Sequence, residues 1–173
     1  QFAPSETLEL DGAIGFKPTA ILEGKQSVLD RNLHVALARE LDGAERTRLQ
    51  VEQFSRRFPN ITIADSYAIQ REWVKLQLAT GRKPIGHKIG LTSRAMQIAS
   101  QITEPDYGTL LDSMLIRDGS EVEASRFIVP RFEAELAFIL ARPLVGPGVT
   151  IFNVLNATDY VVPALELIDA RIE

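Results

Sequence analysis

The sequence predicts an α+β domain, helices first and strands after, on three observations. Residues 30 to about 80 carry apolar side chains at three- and four-residue spacing, the period of helices packed on one face. After Gly81 that period gives way to short apolar pieces punctuated by Pro84, Gly86, Gly90, Pro105, Gly108, Gly119 and Pro130, a pattern of strands and turns. The two patterns are segregated along the chain, which argues for α+β rather than regular βαβ alternation.

Residues 1–28 are weakly patterned, with glycines and prolines among short apolar pieces, and read as an N-terminal extension or loop. From Asp30 to about Arg57 the pattern is helical. Asp30 is a suitable N-cap, and Leu33, Leu37, Leu41 and Ala44 recur on one face. Pro59-Asn60 ends that stretch. Thr62-Ile63-Ala64-Asp65 resembles a capping box, with the acid three residues after the cap. Tyr67, Trp73, Val74 and Leu78 then supply an apolar face, and Gly81 a stop. A short helix is expected around Ser93–Ile102, and Glu104-Pro105-Asp106-Tyr107-Gly108 reads as a turn by composition. No repeat or low-complexity tract is present.

Composition narrows the function classes. With 173 residues, 45% hydrophobic and 24% charged, the chain has the make-up of one ordinary globular domain. It has no cysteine, which excludes disulfides, thiolate nucleophiles and zinc–thiolate sites. No run reaches 18 apolar residues, so no membrane span is expected. The opening Gln1-Phe2-Ala3-Pro4-Ser5 lacks a basic then apolar leader, so no signal peptide is expected and a cytoplasmic location is. There is no basic stripe with interleaved aromatics, so no nucleic-acid partner is expected. The net charge is −4, and its acidic excess is concentrated in residues 121–173, which hold 8 acidic and 4 basic side chains.

That acidic segment carries the most informative feature. In Pro130-Arg131-Phe132-Glu133-Ala134-Glu135-Leu136-Ala137-Phe138-Ile139-Leu140, a strand's period of two puts Glu133 and Glu135 on one face and Phe132, Leu136, Phe138 and Leu140 on the other. Ala137 and Ile139 extend the glutamates' face, so the pair is expected on a largely buried strand, where two carboxylates require a proton or a cation. Glu166 stands alone among aliphatic residues in Val161-Val162-Pro163-Ala164-Leu165-Glu166-Leu167-Ile168. Three carboxylates make an all-oxygen ligand set suited to Mg²⁺ or Mn²⁺, with positions left for water or substrate oxygens. The bland alternative for a Glu-x-Glu pair is a solvated edge-strand face.

Two further positions draw attention. Gly86-His87-Lys88-Ile89-Gly90 places Lys88 on a strand face with two glycines, where a ligand or another chain could approach closely. A lysine there suits carboxylate binding or base chemistry; the alternative is a solvated lysine. His87 alternates to the other face, and with His34 the only other histidine, a histidine-rich metal site is not expected. There is no Gly-x-Ser-x-Gly elbow, Walker loop or dinucleotide fingerprint.

Taken together, Gly86–Ser93, the segment from Ala95 through Gly108, Arg131–Phe138 and Asn156–Arg171 resemble the 2-oxo-hept-3-ene-1,7-dioate hydratases. These sit with the 2-hydroxypentadienoate hydratases and 4-oxalocrotonate decarboxylases in the fumarylacetoacetate hydrolase superfamily. The resemblance covers about residues 31–173. It implies a mixed β-sheet roll after the helices. The implied organisation is an extension over 1–30, a helical region over 31–82, and the first part of a metal-binding catalytic region over 83–173. It implies Glu133, Glu135 and Glu166 as ligands to Mg²⁺ or Mn²⁺, and Lys88 and Asp106 in acid/base work or substrate positioning. The implied reaction is addition of water to an unsaturated 2-oxo dicarboxylate in aromatic-compound catabolism, by a homo-oligomer. Decarboxylation of a 2-oxo diacid is the alternative, since the same enolate stabilisation serves both. For the substrate's second carboxylate the basic options are Arg131 and Arg171. Members of the family run on past the position of Glu173, so the sheet around the site is expected to be incomplete at the C-terminus, which keeps a catalytically silent or assembly form as a further alternative.

Overall fold

The computed structural model describes residues 26–173; the expected extension over 1–30 lies outside the described residues up to position 25. The described chain divides into two compact units, one being Phe132–Glu166 and the other the remainder.

In the larger unit, α1 (Arg31–Thr47) starts where the sequence places it, with the Asp30 side chain accepting from Leu33 N at 2.8 Å. It ends ten residues sooner than expected. Arg48 turns into the left-handed region (φ 58°) and its amide donates to Ala44 O, closing the helix. Val51 then bridges to Ile172 in parallel, a tertiary pairing that the local pattern does not contain. The one-turn α2 (Phe54–Arg57) follows. α3 (Ile63–Ala79) opens on the expected capping box between Thr62 and Asp65, and Gly81 leaves it with φ 91°.

α1 and α3 pack on each other around Leu37, Ala38, Phe54, Ile69 and Trp73. The buried face of α3 runs through Asp65, Tyr67, Ile69, Trp73 and Gln77, whereas Leu78, expected inside, is 41% exposed. Arg171 lies over the Trp73 ring, 4.7 Å from its centroid, and meets Glu45 at 3.4 Å.

β1 (Pro84–Gly90) and β2 (Asp106–Leu111) form an antiparallel pair, linked through α4 (Arg94–Ser100), the short helix expected there, which Ser93 caps. Fully buried Leu111 joins the helical core, so the end of β2 is anchored to the helices. Gln70 of α3 fixes the other end by donating to Tyr107 O at 2.9 Å. Asp106–Gly108 is thus strand rather than turn: each residue has a ladder partner in β1 that local composition cannot reveal.

In the smaller unit, β3 (Pro130–Leu140) pairs with β4 (Thr158–Asp169), joined through α5 (Ile151–Ala157). Ala141 N donates to Ala157 O at 2.8 Å where the connection closes. α5 was not expected from the sequence; its capping box pairs Thr150 with Asn153 rather than with an acid. Both strands are open to solvent: Phe132 is 71% exposed and Leu165 75%. Among the described residues no helix is long and apolar enough to cross a membrane.

Candidate functional site

The three glutamates singled out in the sequence converge. Glu133 and Glu135 extend from alternate positions of β3, and Glu166 from the paired strand β4. Each offers one oxygen, and the three oxygens lie within 4.8 Å of one another. In an octahedral ion with metal–oxygen bonds of about 2.1 Å, neighbouring ligand oxygens sit about 3 Å apart. The triad is therefore close enough for small side-chain rotations to close it around one cation. Its donor set is all carboxylate, the chemistry of a hard divalent ion. Glu133 and Glu135 are exposed and Glu166 half-buried. The expectation that the pair lies on a buried strand face is thus corrected. What brings the carboxylates together is the strand period and the β3–β4 pairing, not enclosure.

A second cluster lies on β1 and β2, in the other unit. Lys88 stands opposite Gly108, and Gly90 opposite Asp106. Partners across a ladder share a face, as do residues two apart on a strand. Lys88 and Asp106 therefore occupy one diagonal of a four-residue square, and two glycines the other. The Lys88 stem runs over Gly108: a Cβ there would lie 3.2 Å from Lys88 Cγ. A Cβ at Gly90 would overlap Asp106 Oδ1 and lie 3.4 Å from Lys88 Nζ. The gap above Gly90, read in the sequence as room for a ligand, is filled by these two side chains. Among the described residues, nothing lies within 4 Å of a Cβ placed at Gly86.

Aromatic side chains back the same hairpin. Tyr67 of α3 stacks on Tyr107 at 4.5 Å between centroids, 13° from parallel. Burial raises the phenol pKa of both, so both are neutral near pH 7. On the face opposite Lys88, burial pushes His87 down, which keeps the imidazole neutral there as well. Sequence reasoning did not find the tyrosine pair: 40 residues separate its members, and only the docking of β2 on α3 joins them.

No family model matches the chain. Individual relatives do. The chain is 60% identical over 144 residues to a 2-oxo-hept-4-ene-1,7-dioate hydratase from Escherichia coli, covering 83% of this chain and 54% of that protein. It is 39% identical over 145 residues to a 4-oxalocrotonate decarboxylase from Pseudomonas sp. (strain CF600), covering 84% and 55%. It is 40% identical over 146 residues to a 2-hydroxypent-2,4-dienoate hydratase from Pseudomonas putida, covering 84% and 66%. A solved structure of 4-oxalocrotonate decarboxylase from Pseudomonas putida G7, complexed with magnesium and adipate, superposes with a TM-score of 0.82 at 37% identity. That match covers 86% of this chain and 56% of the other. The sequence resemblance implies the 3-ene substrate, whereas the Escherichia coli relative is named for the 4-ene isomer. The chain spans a little over half the length of the first of these relatives. By sequence and by fold, it belongs with the 2-oxo-heptenedioate and 2-hydroxypentadienoate hydratases and the 4-oxalocrotonate decarboxylases.

Proposed function

We propose that this chain carries the metal-binding part of a hydratase that adds water to an unsaturated 2-oxo dicarboxylate of the 2-oxo-heptenedioate type, in aromatic-compound catabolism. The observation that carries the reading is the convergence of three carboxylate oxygens within 4.8 Å, in a chain 60% identical to a hydratase of such a substrate. Residues 31–82 serve as the helical scaffold, and 83–173 as the first part of the catalytic region. The assignment to the cytoplasm and to a homo-oligomer belongs to this proposal.

Glu133, Glu135 and Glu166 would hold Mg²⁺, or Mn²⁺ in its place. Held there, such a cation would supply positive charge that favours enolisation of a 2-oxo acid. The remaining chemistry is proton transfer, which falls to Lys88 and Asp106. In a 4-ene substrate the double bond is not conjugated with the C2 carbonyl. Loss of a proton from C3 and gain of one at C5 moves it to C3–C4, giving the 3-ene isomer. C4 is then electrophilic; water adds its hydroxyl there and a proton goes to C3. Both proton steps need a group that can accept and return a proton close to the carbon chain. Lys88 and Asp106, whose side chains both reach the space over Gly90, are the groups to which this reading assigns those steps.

A second reading has its own support: the superposed structure is a 4-oxalocrotonate decarboxylase, holding a divalent metal and a dicarboxylate. The same charge stabilisation serves loss of CO₂ from a 2-oxo diacid. The deciding experiment supplies 2-oxo-hept-4-ene-1,7-dioate and, in parallel, 4-oxalocrotonate to the folded protein with Mg²⁺ and then with EDTA, and identifies the products. A 4-hydroxy-2-oxo diacid formed only with the metal supports the hydratase. Release of CO₂ from 4-oxalocrotonate without hydration overturns it in favour of the decarboxylase. No turnover of either compound overturns both and leaves a catalytically silent form.

A further inference from the structure

We propose that Gly90 and Gly108 are positioning residues whose missing side chains let the side chains of Lys88 and Asp106 share the space over Gly90 on the β1–β2 ladder, so that this pair works as one proton-transfer unit. The proposal rests on the reading of Lys88 and Asp106 given above. Diagonal neighbours in an antiparallel pair stand about 7–8 Å apart, within reach of a long side chain, and share the space between them with the side chains on the other diagonal. Here that diagonal is glycine at both corners, and the space is used. Asp106 Cγ lies 3.2 Å and Lys88 Nζ 3.4 Å from the point where a Gly90 Cβ would stand, and Lys88 Cγ lies 3.2 Å from the corresponding point at Gly108. Gly90 thus controls where the two functional ends sit, and Gly108 controls the path of the lysine.

Backbone need does not explain these glycines. Neither residue has a left-handed φ, so an alanine is compatible with the main chain at both. Glycine also weakens a strand interior, because it adds chain entropy and no packing. Gly86, on the same strand and with no described residue within 4 Å of a Cβ there, provides the comparison.

The test compares Gly90→Ala, Gly108→Ala and Gly86→Ala, each checked for folding by circular dichroism. The first readout needs no turnover: the side-chain carboxyl ¹³C signal of Asp106, assigned through Asp106→Asn. It shifts in Gly90→Ala and stays in place in Gly86→Ala. Gly108→Ala, which crowds the Lys88 stem and only touches Gln70 Nε2, gives a smaller change and serves if Gly90→Ala does not fold. The second readout is kinetic. Gly90→Ala lowers kcat by about 100-fold, the scale of a misplaced reacting group, with KM and Mg²⁺ affinity near the parent values and an altered pH–rate profile. Gly86→Ala leaves kcat within about twofold of the parent, as expected where an added methyl meets nothing. An unshifted Asp106 signal in Gly90→Ala, or equal losses in all three variants, overturns the proposal. A parent protein that turns over neither substrate sinks the functional reading alone, and the carboxyl signal still decides whether Gly90 positions Asp106.

Discussion

His34 Nε2 and Asp65 Oδ1 lie 3.0 Å apart inside the contact between α1 and α3. Asp65 is fully buried and receives more than the imidazole. Ser27 Oγ, the Leu29 amide and both the amide and hydroxyl of Thr62 donate to it. One carboxylate thus caps α3, joins it to α1 and ties down the chain that enters α1. Burial alone would push its carboxyl pKa up. The hydrogen bonds from Ser27, His34 and Thr62 outweigh that and hold it well below the usual carboxylate range.

The depressed pKa fixes the sign of a pH effect. A carboxyl that is harder to protonate in the folded state than in the unfolded chain contributes stability above its unfolded value, near 3.9, and loses it as pH falls from there. Asp65→Asn should cost about 3 kcal/mol at pH 7, since it removes a buried charge and unbalances its donors. In denaturant titrations the gap between parent and variant should narrow below about pH 4. A gap that stays constant down to pH 3 would show that the carboxylate charge is not what stabilises the contact.

The metal reading makes a separable demand. Glu133 and Glu135 are exposed, so their neutral isosteres should hardly alter folding. Glu135→Gln should weaken Mn²⁺ binding by at least about tenfold, because charge count among the ligands sets affinity for a hard cation. Isothermal titration alongside thermal melting separates the two effects. Equal affinity in parent and variant would remove Glu135 from the ligand set.

Lys88→Ala and Asp106→Asn should each lower kcat by about 10²–10⁴-fold, the usual contribution of a positioned acid or base. Cation binding should survive both, since neither residue belongs to the glutamate triad. Single-turnover measurements with Mg²⁺ at saturation provide the check. A variant that loses only metal affinity would show that its side chain has been assigned the wrong task.

Asp169 supplies a local prediction. Its carboxylate accepts from the amides of Ile128 and Val129, the latter at 2.7 Å, just ahead of Pro130. Asp169→Ala leaves two amides to find other partners and should cost about 1–2 kcal/mol, read as a fall of several degrees in melting temperature. Asp169→Asn keeps an acceptor and should lose less. An alanine variant as stable as the parent would mean that water replaces the carboxylate in full.

Features set by local sequence were legible. Asp30 and Thr62 mark helix starts because a cap requires only neighbours within three residues. Glu133 and Glu135 share a strand face because the strand period is two. Features set by distant pairing were not. Nothing near Val51 announces its bridge to Ile172, so α1 reads too long. Nothing near Asp106 announces Gly90 as its partner, so a strand start reads as a turn. The solvent exposure of the glutamates was misjudged for a related reason: alternation assigns residues to a face but cannot say what covers it. Asp65 was readable as a cap, but not as the link to Ser27 and His34, 38 and 31 residues away.

The central claim is that Glu133, Glu135 and Glu166 form one cation site. Mn²⁺ titration followed by electron paramagnetic resonance tests it most directly, because free and bound ion give different signals and no substrate is needed. The expected result is saturable binding of one ion per chain, displaced by Mg²⁺ and lost in the folded Glu133→Gln/Glu135→Gln variant. A folded parent protein that leaves the free-ion signal unchanged, or a double variant that binds as the parent does, would contradict it.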